Sequence, residues 1–288
     1  MRTHFCRAIL LLGLSSAAVS VAPAQTDDGT ESDIPWQRGP TIGKLGRRAE
    51  VKVPEDCGFV DEKGVGKLLE ATQNIAQGNE LGGMVCSVPG SEAYWMVFFS
   101  FDDVGYIKDD EKDQLDADKL LASLKENTER ANEIRAERGW GAFHVTGWER
   151  APYYDSVTHN LTWAIRGEDD EKQSSLNQNV RLLGREGVMS VELVVSPEDF
   201  AASMQGFETV LAGFNYVPGN RYSEWRQGDK VAAYGLTALV AGGAGAMAAK
   251  SGLLGKLWKV IVAGAVALAA AVKKLFNKLT GKEDTQSA

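Results

Sequence analysis

Two histidines, His144 and His159, lie in the middle of the chain, and Asp155 and Ser156 sit just before the second. A serine, a histidine and a carboxylate are the parts of a nucleophilic triad. Two histidines with one carboxylate are the parts of a metal site. Neither signature is complete. Ser156 is not on a G-x-S-x-G elbow, and no H-E-x-x-H occurs. If 153–160 is a hairpin turn, Asp155 and His159 are turn residues with local hydrogen bonds. The acidic run Asp109, Asp110, Glu111, Asp113, Asp116, Asp118 suggests calcium, but it lacks the glycine and closing glutamate of an EF-hand loop. Carboxylates ahead of a helix also follow from its dipole. The sequence carries no metal or cofactor motif, so neither a metal nor a cofactor is expected.

Binding chemistry has better material. Trp140, Phe143, Trp148, Tyr153, Tyr154 and Trp163 fall within one short stretch. Aromatic rings beside polar groups stack on sugars or peptides. Alternating aromatics on strands equally form cross-strand core pairs. Trp140 and Trp148, each beside a glycine, are the two expected at least partly at the surface. Arg181 and Arg185, with Asn177 and Asn179 upstream, could clamp an anion or pair with neighbouring carboxylates. The candidate binding residues are therefore Trp140, Trp148, Tyr153, Asp155, His159, Arg181 and Arg185.

These side chains need a scaffold. Helices are expected at 65–77, where Val65, Leu68, Leu69, Thr72, Ile75 and Ala76 share a face, and at 115–138, which ends at Gly139. A third should follow Pro197 and run to about Leu211, with Ser196 as its N-cap. Strands are expected near 84–88, 94–101, 142–148, 160–166, 180–183, 188–195 and 214–217. Strand pairs flanked by helices, without regular βαβ alternation, read as α+β. The expected fold is a largely antiparallel sheet covered by helices on one face. Residues 25–50 read as a polar, disordered leader, and the folded domain spans 51–220.

The 288 residues carry 31 Lys and Arg against 39 Asp and Glu, a net charge of −8. Forty-four per cent are apolar, which excludes a mostly disordered or collagen-like chain. The ends account for much of the unevenness. Residues 1–24 read as a secretory signal: Arg2 and Arg7 precede an apolar stretch, and Ala22, Pro23 and Ala24 form a small-x-small cleavage site. Residues 231–249 hold no charge and are long enough for one membrane crossing. Ala241 with Gly245, and Gly242 with Ala246, have the spacing that lets two such helices approach, so a homo-oligomer is a candidate assembly. Residues 253–279 form a basic amphipathic helix lying on the bilayer surface or a second membrane helix. One crossing would leave this basic tail in the cytoplasm.

Residues 25–249 then hold 22 basic and 37 acidic side chains, a net of −15, which disfavours nucleic acid as a partner. The partners left are the lipid bilayer and an envelope protein or glycan. Cys6 leaves with the signal, and Cys57 with Cys86 is the disulfide candidate of an oxidising, periplasmic compartment.

Four long runs complete the reading. They are GYIKDDEKDQLDADKLLASLKENTERANEIRAERGW (105–140), VTGWERAPYYDSVTHNLTWAIRG (145–167), NQNVRLLGREGVMSVELVVS (177–196) and RYSEWRQGDKVAAYGLTALVAGGAGAMAAKSGL (221–253). Together they resemble the bacterial family of membrane-anchored proteins built on domain of unknown function 2167. The resemblance covers about 51–279. It implies a signal, an ectodomain and a C-terminal anchor, and it assigns no reaction and no functional residues. The sequence therefore favours a non-catalytic binding or assembly module in the cell envelope. An envelope hydrolase or glycan-modifying enzyme using Asp155 and His159 is the alternative.

Overall fold

The run VMSVELVV sends Met189, Val191, Leu193 and Val195 to one side and Val188, Ser190, Glu192 and Val194 to the other, because successive strand side chains alternate. That strand is central in the computed structural model of the chain, which describes residues 34–241. In chain order its strands are β1 (Gln37–Arg38), β2 (Thr41–Leu45), β3 (Ala49–Val53), β4 (Cys57–Asp61), β5 (Glu80–Ser87) and β6 (Tyr94–Asp102). They continue with β7 (Phe143–Asp155), β8 (Asn160–Asp169), β9 (Ser174–Leu183), β10 (Val188–Val195) and β11 (Phe214–Tyr216). Four helices interleave: α1 (Val65–Ala71), α2 (Ala117–Glu137), α3 (Phe200–Gly213) and the short α4 (Leu236–Val240).

Eight strands form one sheet in the order β1-β4-β5-β6-β10-β9-β8-β7. Three more form a small sheet, β11-β3-β2. Every strand pairing in both is antiparallel. The fold is α+β, as the mixture of hairpins and helices suggested.

The large sheet is covered on both faces, not one. On the first face Val97, Phe99, Val180, Met189, Val191 and Leu193 pack with Phe207 and Val210 of α3 and with Leu45, Val51 and Val53 of the small sheet. On the second face α1 seals Val85, Met96 and Phe98, while α2 lies against β7, where the Trp148 indole donates to the Ala117 carbonyl (3.1 Å). The one-face expectation failed because α3 is apolar enough to need its own face, with Phe207 and Val210 fully buried.

Several boundaries move for identifiable reasons. The leader expected over 25–50 contains β1, β2 and the start of β3, since Leu45 and Ala49 are core residues. The folded domain thus starts before Val51. The first helix stops at Ala71 rather than 77, because Gln73 adopts φ +54° and the Asn74 N–H turns back to the Leu69 carbonyl. Asp116 caps α2 by accepting from the Lys119 N–H (3.1 Å). The third helix begins at Phe200, after Asp199. Ser196 does not cap it and instead donates its hydroxyl to Asp199 (2.7 Å).

The span expected over 231–249 is described only to residue 241, and that part is not one helix. Val231 bridges Tyr106 in extended form. Helix α4 starts at Leu236, where the Thr237 N–H meets Glu111 (3.1 Å), and the Asn127 amide donates to the Ala241 carbonyl (2.6 Å). These bonds tie 231–241 to the domain. Among the described residues no helix is long and apolar enough to cross a membrane. The signal at 1–24, the rest of the span and the helix at 253–279 lie outside the described residues.

Candidate functional site

The Asp155–His159 pair closes the β7–β8 hairpin. Asp155 accepts from the Val157 N–H (2.8 Å), the Thr158 N–H (3.4 Å) and the Thr158 hydroxyl (2.9 Å). Those donors hold its carboxyl below the usual carboxylate range. Its lone pairs are therefore spent on the turn. His159 follows in the left-handed region, φ +55°. Among the described residues no hydrogen bond joins Ser156 to His159.

His144 lies at the opposite end of β7, roughly 30 Å from Asp155 by strand rise. It is paired with Glu129 (2.8 Å) and, more loosely, with Asp170 (3.6 Å). Glu129 raises the His144 pKa above its ordinary 6.5, and His144 lowers that of Glu129 from 4.5. The raised histidine contributes stability that is complete below pH 6.5 and fades as pH rises through its folded value. The lowered glutamate contributes above pH 4.5 and fades as pH falls through its folded value. The pair is thus fully effective between about pH 4.5 and 6.5. Titration of the His144 ring by NMR should give a pKa above 6.5 that drops in Glu129→Gln; an unchanged value would break the pairing argument. Asp155, His159 and His144 do not meet, so the triad and the two-histidine site are not formed. Among the described residues no group of three His, Cys, Asp or Glu side chains could hold a metal.

The remaining sequence candidates separate by role. Arg185 grips Asp229 with two bonds (2.7 and 2.8 Å), holding that carboxyl down at about 2. It is a structural pair, not an anion clamp. Trp140 lies under the guanidinium of Arg138 (4.9 Å). Trp148 is anchored to α2 as described above, and Tyr153 is exposed. Arg181 takes a different course: its guanidinium lies over the ring of buried Trp163 (4.7 Å), and burial lowers its pKa against the pull of Glu192 and Asp102.

What the structure assembles at the hairpin is a group of rings from three distant segments. Tyr106 stacks on Tyr222 (4.4 Å, 16°), Tyr222 packs on His159 (4.5 Å), and Trp225 leans on Tyr106 (5.2 Å). Tyr154 points its hydroxyl at Asp109 (3.2 Å) and at Nδ1 of His159 (3.0 Å). The Tyr154 hydroxyl donates to Asp109, which links Asp109, Tyr154 and His159 in one chain of hydrogen bonds. Burial, then Asp109, raises the Tyr154 pKa, so this hydroxyl stays protonated. The Tyr222 hydroxyl donates to the Ile107 carbonyl (2.9 Å), and burial again keeps it protonated.

Two loops bring these rings together. Gly105, at φ +95°, turns the chain after β6, and Tyr106 bridges Val231. Asn220 and Arg185 tie the 217–230 segment to the β9–β10 turn. Trp225 is 38% exposed at the rim. Chemically, this arrangement offers the rim ring of Trp225, an imidazole and a carboxylate to a ligand. Sequence reasoning missed Tyr106, Tyr222 and Trp225, and it weighed Asp109 only as part of a calcium-like acidic run. Their only signal was aromatic residues inside polar runs, YIKDD and RYSEW.

A family model described as "Protein of unknown function (DUF2167)" matches residues 37–273. No curated protein matches the chain. Among solved structures, it is similar to the solution structure of cyanobacterial PsbP (CyanoP) from Synechocystis sp. PCC 6803. The two are 12% identical, with 68% of this chain and 99% of that chain covered and a TM-score of 0.36.

Proposed function

The chain belongs to the family described as protein of unknown function DUF2167, and from that premise we propose that it is a membrane-anchored cell-envelope protein whose described domain is a non-catalytic binding module. The observation that carries the binding role is the ring assembly of Tyr106, Tyr222, His159 and Trp225. Trp225 is the exposed ring of the group, and Tyr106, stacked on the buried Tyr222, backs it, so Trp225 is held for a ligand with little entropy left to lose on binding. A pyranose or a peptide plane is the surface such rings stack on. The envelope supplies both in peptidoglycan.

The Cys57–Cys86 disulfide supports an extracytoplasmic location, since such bonds persist in oxidising compartments. The signal-like 1–24 segment supports the same side. The anchor falls to the apolar residues beyond Ala241, with Lys256, Lys259, Lys274 and Lys278 suited to an anionic bilayer surface.

Co-sedimentation of the full chain with purified peptidoglycan sacculi tests the reading. The expected result is binding that Trp225→Ala weakens by about tenfold, or about 1.4 kcal/mol. No sedimentation, or sedimentation indifferent to Trp225 and Tyr106, would sink it. The glycan-modifying alternative has one observation in its favour, the Asp109–Tyr154–His159 chain of hydrogen bonds. Release of soluble fragments from the sacculi, lost in His159→Ala, would establish that alternative instead.

A further inference from the structure

The second face of the large sheet carries a polar band where an apolar layer is the rule. Adjacent on β9, and pointing the same way, are Ser175, Asn177, Asn179 and Arg181. Their cross-strand neighbours on that face include Trp163 and Ile165 on β8 and Ser190 and Glu192 on β10. Part of the band is internally satisfied. Asn177 donates to Glu192 (3.0 Å), Asn179 donates to the Asn177 carbonyl (3.2 Å), and Ser175 bonds Asn177 (3.4 Å).

Of the nine buried side-chain atoms without a hydrogen-bond partner among the described residues, four gather here: Trp163 Nε1, Asn179 Oδ1, Arg181 Nη1 and the Tyr234 hydroxyl. They belong to one neighbourhood. Trp163 and Asn179 face each other across the ladder. Arg181 covers the Trp163 ring. Tyr234 lies close enough to Arg181 and Asp102 for its pKa, pushed up to about 12 mainly by burial, to feel both charges. Trp163 is 2% exposed and Asn179 0%, whereas Arg181 and Tyr234 are half-buried, so the band runs from the interior to side chains that reach the surface, although their orphaned atoms are themselves buried.

Each orphaned buried group is costly, and native interiors rarely tolerate several together. A ligand that pairs with them removes the cost, and the chemistry of the four selects its class. An apolar ligand would leave all of them unpaired. An anion would meet Glu192 and Asp102 beside the single guanidinium, and a cation would meet Arg181. A neutral molecule carrying both hydroxyl donors and oxygen acceptors satisfies an indole N–H, a guanidinium N–H, a phenol and an amide oxygen at once.

We propose that the polar band formed by Trp163, Asn179, Arg181 and Tyr234 is an internal binding site for a small neutral polyol or sugar, separate from the ring assembly at the surface. Asn179 accepts from a ligand hydroxyl, Trp163 and Arg181 donate to ligand oxygens, and Tyr234 closes the surface end.

The test follows the indole N–H resonance that Trp163→Phe removes, using the full chain in detergent titrated with N-acetylglucosamine and with glycerol. The expected result is a saturable shift with at least one of the two. Asn179→Leu should weaken that binding at least tenfold while raising the melting temperature, because an orphaned acceptor has been removed. Tyr234→Phe, at the surface end, is the second variant and should weaken it severalfold with the fold intact. Three outcomes overturn the proposal. One is no saturable shift with either probe, which means that the band is structural and holds water only. Another is a shift produced by inorganic phosphate and by neither probe. The last is affinity unchanged in both variants.

Discussion

Trp95→Ala should destabilise the domain by about 3–5 kcal/mol, a large share of what a domain of this size has to lose. Trp95 is 1% exposed and lies in the first-face core among Val97, Phe99, Val191 and Phe207. The fit is close on its helix side. A Cβ built on Gly206 of α3 would sit 2.7 Å from the Trp95 ring, so that glycine is the space the indole fills. The indole N–H also donates to the Ser87 carbonyl (3.2 Å) at the end of the neighbouring strand. Alanine therefore leaves both a cavity and an unpaired carbonyl. Trp95→Phe keeps most of the volume and should lose less. Denaturant midpoints at constant slope would measure both variants. A loss below about 1 kcal/mol in Trp95→Ala would mean that α3 does not depend on this contact.

Removing the disulfide is the second large effect. Cys57 on β4 and Cys86 on β5 are directly paired across the ladder, 29 residues apart in sequence. The bond closes that loop in the unfolded chain, which on the chain-entropy account is worth about 3–4 kcal/mol. The double variant Cys57→Ala, Cys86→Ala should lose that amount, and reduction of the native protein should reproduce most of the loss. Both sulfurs are buried in the core, so the substitution also gives up some packing. Near-equal stability of the oxidised and reduced proteins would show that the sheet already restrains this loop without the bond.

Much of the scaffold is legible in residue patterns, and the limits of that legibility are physical. The strand Val188–Val195 is read to the residue, because one face is wholly apolar and valines stand at both ends. The helix Ala117–Glu137 is found within two residues, from its run of strong helix formers and from Gly139, at φ +71°, past its end. The Cys57–Cys86 pair is found from compartment logic alone. The hydrophobic pattern marks only 180–183 of β9, which begins at Ser174, because Ser175, Asn177, Gln178 and Asn179 are buried polar residues that no such pattern flags. The same blindness hid the polar band.

Strands β1 to β3 escape a reading by pattern because β1 is two residues long and pairs with the distant Phe59 and Gly58, and because the β2–β3 hairpin is polar on one side and completed by the distant Phe214 to Tyr216. At the candidate site the sequence supplied His159 but gave it the wrong company. Asp155 is adjacent in sequence and committed to the turn, while Tyr222 and Asp109 are distant in sequence and close in space. Long-range assembly of loops is not written in local spacing.

The central claim is that the described domain faces the envelope side of a membrane to which the chain is anchored. Val157, at the tip of the β7–β8 hairpin, is 87% exposed and adjoins the ring assembly. A single reactive cysteine at that position, Val157→Cys in a Cys6→Ser background with the native disulfide intact, reports the location directly. In spheroplasts a membrane-impermeant maleimide should label it before lysis, and the labelled protein should sediment with the membranes. Labelling only after lysis, or label recovered in the soluble fraction, would contradict the account.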